Sequence, residues 1–206
     1  MDLLIIRHGQ SEADILNVIE GRADFALTDL GRRQAALMAR WAASYMRIDK
    51  IFSSGLKRAR QTAEKLSAAA RAPVEFSDEL MEWNNGLIAG LSREDAQEKY
   101  PEPKPKHPHV AVYEQESAIE FRARAETALS RIINENPPDA KIAIVSHGGM
   151  IAKLFQSFLM LPFGAKIGIR SGDTGAHHWK IEGDARSVVF ANSLIHLDEL
   201  TKEESQ

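Results

Sequence analysis

The sequence predicts an α/β protein, a three-layer sandwich in which helices flank a mostly parallel central sheet that carries a small irregular lid insertion. Short apolar runs rich in β-branched residues alternate with longer runs in which apolar residues recur at helical spacing. This alternation is typical of a sheet covered by helices on both faces. The length of 206 residues fits a single domain over 1–206 and is enough to bury a sizeable core.

The first half of the chain supplies the first strands and helices of this fold. LLIIR is too short and too β-branched for a helix, so residues 2–7 are predicted as a buried strand. Thr28 suits a helix N-cap, and one face of the helix that follows is expected to face the core. The residues of that face are Leu30, Gln34, Leu37, Trp41 and Tyr45. A second strand (50–54), a second helix (56–70) and a short third strand (73–77) come next.

Residues 84–116 differ from the rest of the chain because they contain four of the eight prolines and show no lasting periodicity. We expect this segment to form the lid rather than a second domain. A capping box at Ser117 and Glu120 starts another helix, which ends near Glu135. The remaining predicted elements are a buried strand, a helix, two edge or antiparallel strands and a flexible tail, at 142–147, 148–160, 175–181, 187–192 and 201–206.

Composition is typical of a soluble globular protein, with 44% hydrophobic and 27% charged residues. A net charge of -3 gives no overall basic field, so we expect neither nucleic acid nor an anionic membrane as a partner. No apolar run approaches the ~18 residues of a membrane span, and the N-terminal residues lack the features of a signal peptide. Cysteine is absent, which excludes disulfides and thiolate chemistry and predicts a cytoplasmic location.

Polar side chains follow three of the predicted strands where each strand ends. Arg7 and His8 end the first strand, Arg58 lies one helical turn beyond the second, and His147 follows the strand at 142–147. Alone, each of these residues would more often be structural. Ligands of open α/β sheets bind beyond the carboxyl ends of the strands, so we expect these groups to share one crevice. Arginine forks match phosphate oxygens, and the glycine after each histidine lets a ligand approach the backbone.

Six stretches of the sequence resemble the histidine phosphatase superfamily, the phosphoglycerate mutase-like enzymes. In chain order they are IIRHGQSEAD, GRADFALTDLGRRQA, IFSSGLKRARQTAE, ELMEW, IVSHGG and FANSLIHL. Their order and spacing match the family over nearly the whole chain. The resemblance implies a phosphomonoesterase that hydrolyses small phosphorylated metabolites through a phosphohistidine intermediate, with no metal or organic cofactor.

The resemblance also implies roles for individual residues. His8 would be the nucleophile, because neutral imidazole is a good nucleophile near neutral pH. Arg7, Arg58 and His147 would hold the oxygens of the transferred phosphoryl group. Glu82 would protonate the leaving oxygen and then activate water. The substrate-binding residues expected from the same resemblance are Ser11, Asp14, Glu20, Gly21 and Gly148.

The sequence departs from the family pattern near the expected phosphate pocket. The family commonly has asparagine where Asp14 stands, an uncharged polar residue at Glu20 and arginine at Val18. A carboxylate about 4 Å from a phosphate oxygen would repel it by roughly 4 kcal/mol at an effective dielectric of 20. These carboxylates must therefore turn away, pair with Arg22 or Arg7, or meet a cationic or polar group of the substrate. We hypothesise poor activity on polyanionic sugar bisphosphates, which comparable turnover of a bisphosphate and a neutral-tailed monoester would contradict.

Three other functions remain open from the sequence. A mutase would return the phosphoryl group to product, but EWNNGLIAGL from Glu82 onward lacks the tyrosine-glycine signature of mutases, which favours a phosphatase. A non-catalytic phospho-ligand-binding module would fit the acidic positions but needs neither a nucleophile nor an acid. A metallohydrolase could use His107 and His109 or the pair His177–His178. Adjacent histidines at 177 and 178 would point to opposite faces of a strand, and for the pair in the proline-rich segment we expect solvated loop residues rather than metal ligands. The apolar faces leave room for a homodimer.

Overall fold

The computed structural model describes residues 1–105, 107–198 and 200 and contains a six-stranded sheet. The strands are β1 (Asp2–Arg7), β2 (Lys50–Ser53), β3 (Val74–Phe76), β4 (Lys141–Ser146), β5 (Ala176–Glu182) and β6 (Ala185–Ser193). They lie side by side in the order β3-β2-β4-β1-β5-β6. The first four strands of the chain pair in parallel, and β5 runs antiparallel to both of its neighbours. The predicted mostly parallel sheet is confirmed.

Helices cover both faces of this sheet. In chain order they are α1 (Glu12–Leu16), α2 (Asp29–Tyr45), α3 (Lys57–Ala70), α4 (Arg93–Lys99), α5 (Ala118–Asn134) and α6 (Gly148–Phe158). Helices α2 and α3 pack together on one face, and α5 and α6 pack together on the other. Side chains of β1 alternate between the two cores: Leu3 and Ile5 point toward α5 and α6, while Leu4 and Ile6 point toward α2 and α3. The three-layer sandwich is confirmed.

Local details differ from the sequence predictions in three places. On the predicted core face of α2, Gln34 and Leu37 are buried, but Tyr45 is 40% exposed and the core contacts centre on Ala35, Met38 and Ala42. These small and flexible side chains let α2 lie close against α3. Helix α4 lies in the segment predicted to be irregular, and α1 lies in a stretch for which no helix was predicted. Each is short and begins after a serine N-cap, at Ser11 and Ser92, so neither is long enough to show a clear helical period.

The predicted lid, 84–116, is attached to the loop that precedes α2. It contains a single 3-10 turn at Gly86–Ile88 together with α4. The backbone of Ile19, in that loop, makes two hydrogen bonds to this segment. Its carbonyl accepts from the N–H of Gly90 at 2.7 Å, and its N–H donates to the carbonyl of Leu91 at 2.9 Å. Movement of the lid remains a prediction. The predicted tail at 201–206 lies outside the described residues, and no helix in the described part of the chain is long and apolar enough to cross a bilayer.

Candidate active site

The carboxyl ends of three neighbouring strands bring the predicted polar groups together. Strand β4 lies between β2 and β1, so His147 at its end is flanked by Ser54 and His8. The rings of the two histidines have centroids 5.0 Å apart, and both side chains are almost completely buried. The pairing of β1 with β4 thus brings together His8 and His147, which are 139 residues apart in sequence (147 minus 8). Burial of two adjacent imidazoles at a strand edge is the starting point of the site.

His8 is held in a single tautomer. Its Nδ1 lies 2.8 Å from the carbonyl oxygen of Gly9, which can only accept, so Nδ1 carries the proton. The Nε2 lone pair accepts from Nε of Arg58 at 3.3 Å. Burial, and then the positive charges of Arg58 and Arg7, lower the pKa of His8 well below its ordinary value. His8 is therefore a neutral imidazole whose Nε2 faces the crevice.

The loop that carries His8 rests directly on the first turn of α2. Gln10 accepts from the backbone N–H of Thr28 at 3.0 Å, and its own N–H donates to the side chain of Gln34 at 2.9 Å. A Cβ at Gly31 would lie 2.0 Å from the carbonyl oxygen of Gln10, so a residue without a side chain is required there. Helix α2 thus fixes the backbone beside His8.

Arg58 is fully buried on the first turn of α3 and ties the crevice to the loop after α1. Its Nη1 donates to the carbonyl of Ala23 at 2.9 Å, and its Nη2 donates to the carbonyl of Gly21 at 2.8 Å. Burial lowers its pKa from the ordinary value, and the nearby carboxylates of Glu20 and Glu82 oppose that shift. Arg58 remains a cation in any physiological solution. Gly21 therefore contributes to the site through its carbonyl, which positions Arg58.

His147 and Arg7 each present an unpaired nitrogen. Nε2 of His147 lies 2.8 Å from Oγ of Ser54, which itself accepts from the N–H of Leu56 at 3.3 Å. The Ser54 hydroxyl can thus donate to Nε2, which leaves a proton on Nδ1. Among the described residues, neither Nδ1 of His147 nor Nε of Arg7 has a partner, although both are buried. Burial and the charge of Arg58 lower the pKa of His147 well below its ordinary value.

The outer nitrogens of Arg7 are held by the loop that precedes β5. Nη1 donates to the carbonyl of Ser171 at 2.9 Å, and Nη2 lies 3.3 Å from Oδ1 of Asp173. Burial raises the pKa of Asp173 despite the nearby arginine. A Cβ at Gly148 would lie 3.9 Å from Nε of Arg7, which places this predicted residue beside the same nitrogen. Asp173 was not predicted from the sequence, because an aspartate in a polar loop carries no distinctive signal.

Glu82 lies at the start of α6. Its Oε2 accepts from the N–H of Gly149 and its Oε1 accepts from the N–H of Trp83, both at 2.8 Å. The helix N-terminus stabilises the negative charge there. A Cβ at Gly149 would lie 2.4 Å from Oε1 of Glu82, so only glycine lets the carboxylate approach this closely.

Arg124 on α5 holds the backbone around Glu82 and was also missed from the sequence. Its Nη1 donates to the carbonyls of Glu79 at 2.9 Å and Met81 at 2.7 Å, and its Nη2 donates to the carbonyl of Glu82 at 3.1 Å. Nε of Arg124 is also 3.1 Å from Oε2 of Glu116. In the sequence, Arg124 is an arginine next to the buried positions of an amphipathic helix. Many surface arginines occupy such positions, so this placement does not mark a functional residue.

The two unusual carboxylates behave differently. Asp14 caps its own helix, because its Oδ2 accepts from the backbone N–H of Ser11 at 2.8 Å and lies 3.1 Å from Oγ of Ser11. Glu20 points into the crevice, with Oε1 3.4 Å from Nε of Arg58 and Oε2 3.7 Å from Nε2 of His8. Its Oε1 also contacts Oγ of Ser11. Burial raises the pKa of Glu20.

These positions decide between the outcomes expected from the sequence. Asp14 turns aside, but Glu20 faces the site and pairs with Arg58. The alternative that Glu20 pairs with Arg22 or Arg7 is therefore wrong. Arg22 extends instead toward Glu116, at 3.9 Å. The loop geometry explains this, because the carbonyls on either side of Arg22 are already bound by the Arg58 guanidinium.

The remaining histidines do not join the crevice. His177 and His178 lie in β5, within the strand predicted at 175–181, and both are buried and hydrogen-bonded there. The rings of His107 and His109 stack on each other at the exposed surface, 5.8 Å apart. Within the described residues, no group of three or more potential metal ligands occurs.

Comparison with known proteins identifies the family. A broad-specificity phosphatase of Saccharomyces cerevisiae is 32% identical over 75% of this chain and 68% of its own length. The phosphoglycerate mutase-like protein 4 of Arabidopsis thaliana is 30% identical over 96% of this chain and 87% of its own. The solved structure of a mycobacterial glucosyl-3-phosphoglycerate phosphatase in complex with VO3 has a TM-score of 0.80 at 26% identity, covering 93% of this chain and 99% of that one.

The family model described as histidine phosphatase superfamily (branch 1) matches residues 3–193. This range includes the ends of β1, β2 and β4 and every side chain of the crevice described above. The resemblance seen in the sequence is confirmed. The chain belongs to the histidine phosphatase superfamily, branch 1.

Proposed function

We propose that this histidine phosphatase hydrolyses small phosphomonoesters through a phosphohistidine formed at Nε2 of His8. The orientation of His8 carries the proposal. Its Nδ1 proton is held by the carbonyl of Gly9 at 2.8 Å, and its Nε2 lone pair faces the guanidinium of Arg58 at 3.3 Å. A neutral imidazole in this orientation can attack phosphorus without first losing a proton.

In the first step, Nε2 of His8 bonds to phosphorus while the ester P–O bond breaks. Nε of Arg7, Nδ1 of His147 and the guanidinium of Arg58 stabilise the charge that develops on the phosphoryl oxygens. The first two nitrogens are buried and have no partner among the described residues, which leaves them free to donate to those oxygens. Glu82 in its acid form gives a proton to the leaving oxygen, which departs as an alcohol.

In the second step, water replaces the histidine. Glu82, now a carboxylate, takes a proton from the water as its oxygen bonds to phosphorus and the P–N bond breaks. The electron pair of that bond returns to Nε2, so His8 regains its neutral form and inorganic phosphate leaves. Neither step requires a metal ion. The N–H groups of Trp83 and Gly149 keep the carboxyl of Glu82 in one place through both proton transfers.

Small substrates are favoured because the crevice is bordered by the predicted lid. Asn85 of the lid packs against Gly21, and the N–H of Glu116 donates to the carbonyl of Asn84 at 3.0 Å. Two relatives support the same class by name, one acting on glucosyl-3-phosphoglycerate and one having broad specificity. The cytoplasmic location, a homodimer and the absence of nucleic-acid and membrane partners stay predictions of the sequence.

Hydrolysis of an aryl phosphate in the presence of a chelator tests this function. Wild type is compared with His8→Ala and with the matched variant His109→Ala, which removes an exposed histidine. We expect wild type and His109→Ala to release phosphate at equal rates and His8→Ala to release none above background. An alkali-stable, acid-labile radioactive label should form on wild type and be absent from His8→Ala. A label that survives in His8→Ala would contradict the proposal, and transfer to a second hydroxyl rather than to water would identify a mutase.

A further inference from the structure

We propose that Glu20 binds the transferred phosphoryl group as a neutral carboxylic acid, so that one proton enters the site with the phosphomonoester wherever Glu20 is ionised in the free protein. The inference rests on the proposed function and adds a catalytic residue to it. Glu20 becomes a hydrogen-bond donor to a phosphoryl oxygen. The activity of the enzyme then falls as the pH rises and Glu20 ionises.

The position of Glu20 requires this. Its Oε2 is 3.7 Å from Nε2 of His8 and its Oε1 is 3.4 Å from Nε of Arg58, with only 17% of the side chain exposed. Phosphorus must approach Nε2 along its lone pair, so the phosphoryl oxygens enter the space that this carboxyl borders. An ionised carboxylate would repel them at contact distance, whereas a carboxylic acid donates a hydrogen bond to an oxygen.

The surrounding backbone resists one alternative, in which the whole loop moves and carries Glu20 out of the site. Ile19 is bonded through both its N–H and its carbonyl to the segment around Leu91, at 2.9 and 2.7 Å. On the other side, Arg58 binds the carbonyls of Gly21 and Ala23. Displacing the loop would break these bonds and release Arg58 from its place beside His8. Protonation removes the repulsion and leaves every one of these contacts intact.

The hydrogen bonds of Ser11 independently indicate a protonated carboxyl. Oγ of Ser11 contacts Oε1 of Glu20 and also Oδ2 of Asp14, yet a hydroxyl carries one hydrogen. Both contacts are hydrogen bonds only if one of the two carboxyls supplies a second hydrogen. Asp14 also accepts the backbone N–H of Ser11 at 2.8 Å, so its Oδ2 already has two contacts with that residue. We assign the second hydrogen to Glu20, the carboxyl that lies 3.7 Å from Nε2 of His8.

The charges that face Glu20 set the direction of its titration. Burial, the largest cause, and the negative charge of Asp14 on α1 raise its pKa, whereas Arg58 on α3, the hydrogen bond with Ser11 and Arg7 at the end of β1 lower it, with a net rise. His8, the other titratable group in contact, has a lowered pKa and stays neutral in mildly acidic solution. A bound phosphate adds negative charge and raises the pKa of Glu20 further. Nucleophile and donor thus coexist in their active forms between the lowered pKa of His8 and the raised pKa of Glu20 in the phosphate complex.

The pH dependence of kcat/KM for wild type and Glu20→Gln tests the inference. The amide of Gln is always a donor and cannot ionise, and substrate ionisation cancels in the ratio of the two enzymes. Above the pKa of Glu20 we expect the Glu20→Gln to wild-type ratio to rise about tenfold per pH unit, and to level off below it. Glu64→Gln, at an exposed position of α3, should follow wild type throughout. Parallel profiles, or a uniform loss in Glu20→Gln at every pH, would overturn the inference.

A binding measurement without turnover separates this inference from the proposed function. Titration calorimetry with inorganic phosphate, in alkaline buffers of different ionisation enthalpy, reports the protons taken up on binding. We expect wild type to take up about one proton more than Glu20→Gln. Equal uptake by both proteins, or no phosphate binding to wild type in either acidic or alkaline buffer, overturns the role of Glu20. Hydrolysis that survives in His8→Ala would instead overturn the proposed function and leave the calorimetric result standing.

Discussion

Two pairs of adjacent buried histidines lie in this molecule, and only one of them is built for chemistry. In β5, Nδ1 of His177 accepts from the N–H of Asn192 at 3.1 Å, and its Nε2 donates to Oγ of Ser171 at 2.9 Å. The neighbouring His178 binds a tyrosine hydroxyl at 2.8 Å and the carboxylate of Asp2 at 2.7 Å. All four ring nitrogens of this pair have protein partners.

The pair at the strand ends, His8 and His147, differs in the partners of its nitrogens rather than in its burial. Nε2 of His8 faces a cation, and Nδ1 of His147 has no partner among the described residues. Burial lowers the pKa of His177, to about 4, just as it lowers the pKa values of the other two. A displaced pKa therefore does not distinguish the two pairs. The partners of the ring nitrogens do, because in the active-site pair Nε2 of His8 faces Arg58 and Nδ1 of His147 has no partner among the described residues.

The largest expected contrast comes from removing one histidine of each pair. His147→Ala should lower kcat by about 10²–10³ because it removes a donor to the phosphoryl oxygens. His177→Ala should keep kcat but lose about 1–3 kcal/mol of unfolding free energy, because it leaves the N–H of Asn192 unsatisfied. Phosphate release and urea unfolding of both variants measure this. Full activity in His147→Ala would erase the distinction between the pairs.

The end of each strand was predictable, but the partners across the sheet were not. His8 and His147 follow apolar runs whose length and composition identify buried strands, and the parallel arrangement places their ends together. Arg124 and Asp173 reach the site from elements remote in sequence, so no local pattern marks them. The partner of His178 could not be predicted, because Asp2 is 176 residues away and becomes a neighbour only when β1 pairs with β5.

The sequence also did not predict which way the side chain of Glu20 points. Its identity predicted an unusual pocket. Whether its side chain turns away, pairs with an arginine or faces the substrate depended on backbone geometry. Only the bonds from Arg58 to the carbonyls of Gly21 and Ala23 settle it. Side-chain direction in a loop is set by such long-range contacts, which propensities do not encode.

Both pairs contain histidines whose pKa is lowered by burial, so acid should reduce the free energy of unfolding. His177 has a folded-state pKa of about 4, below the ordinary value of 6.5, so the unfolded chain binds its proton first as pH falls. Its contribution to stability is complete above the unfolded pKa and is lost as pH falls toward the folded one. The slope for one such histidine is about 1.4 kcal/mol per pH unit. Urea unfolding of wild type and His177→Gln across this window should show a shallower loss in the variant; identical slopes would contradict it.

A smaller effect is expected at Arg124, which acts through Glu82 rather than on substrate. Arg124→Met should lower kcat about tenfold, with a larger loss for esters of poorly acidic alcohols, because a misplaced acid matters most when the leaving group needs its proton. Arg124→Lys should recover part of the loss. Arg131→Met, on the same helix with a side chain 58% exposed, is the control and should keep full activity. Equal losses for good and poor leaving groups would limit Arg124 to a structural role.

The smallest effect is expected at Tyr45, whose hydroxyl donates to Nδ1 of His178. Tyr45→Phe removes the donor and should cost about 1 kcal/mol of unfolding free energy, since the ring is 40% exposed and water can reach part of the gap. Hydrolysis should be unchanged. A drop in kcat would show that the β5 pair communicates with the crevice more strongly than its contacts indicate.

One helix links the two pairs mechanically. The first turn of α2 supports the backbone beside His8 through Gly31, and its last residue, Tyr45, contacts His178. At 1.5 Å per residue its 17 residues form a rod about 25 Å long. Because α2 is one continuous helix, we expect warming to release its two ends together. Heat inactivation and the collapse of the sheet should consequently occur in the same narrow temperature interval, with no warm, folded and inert form between them.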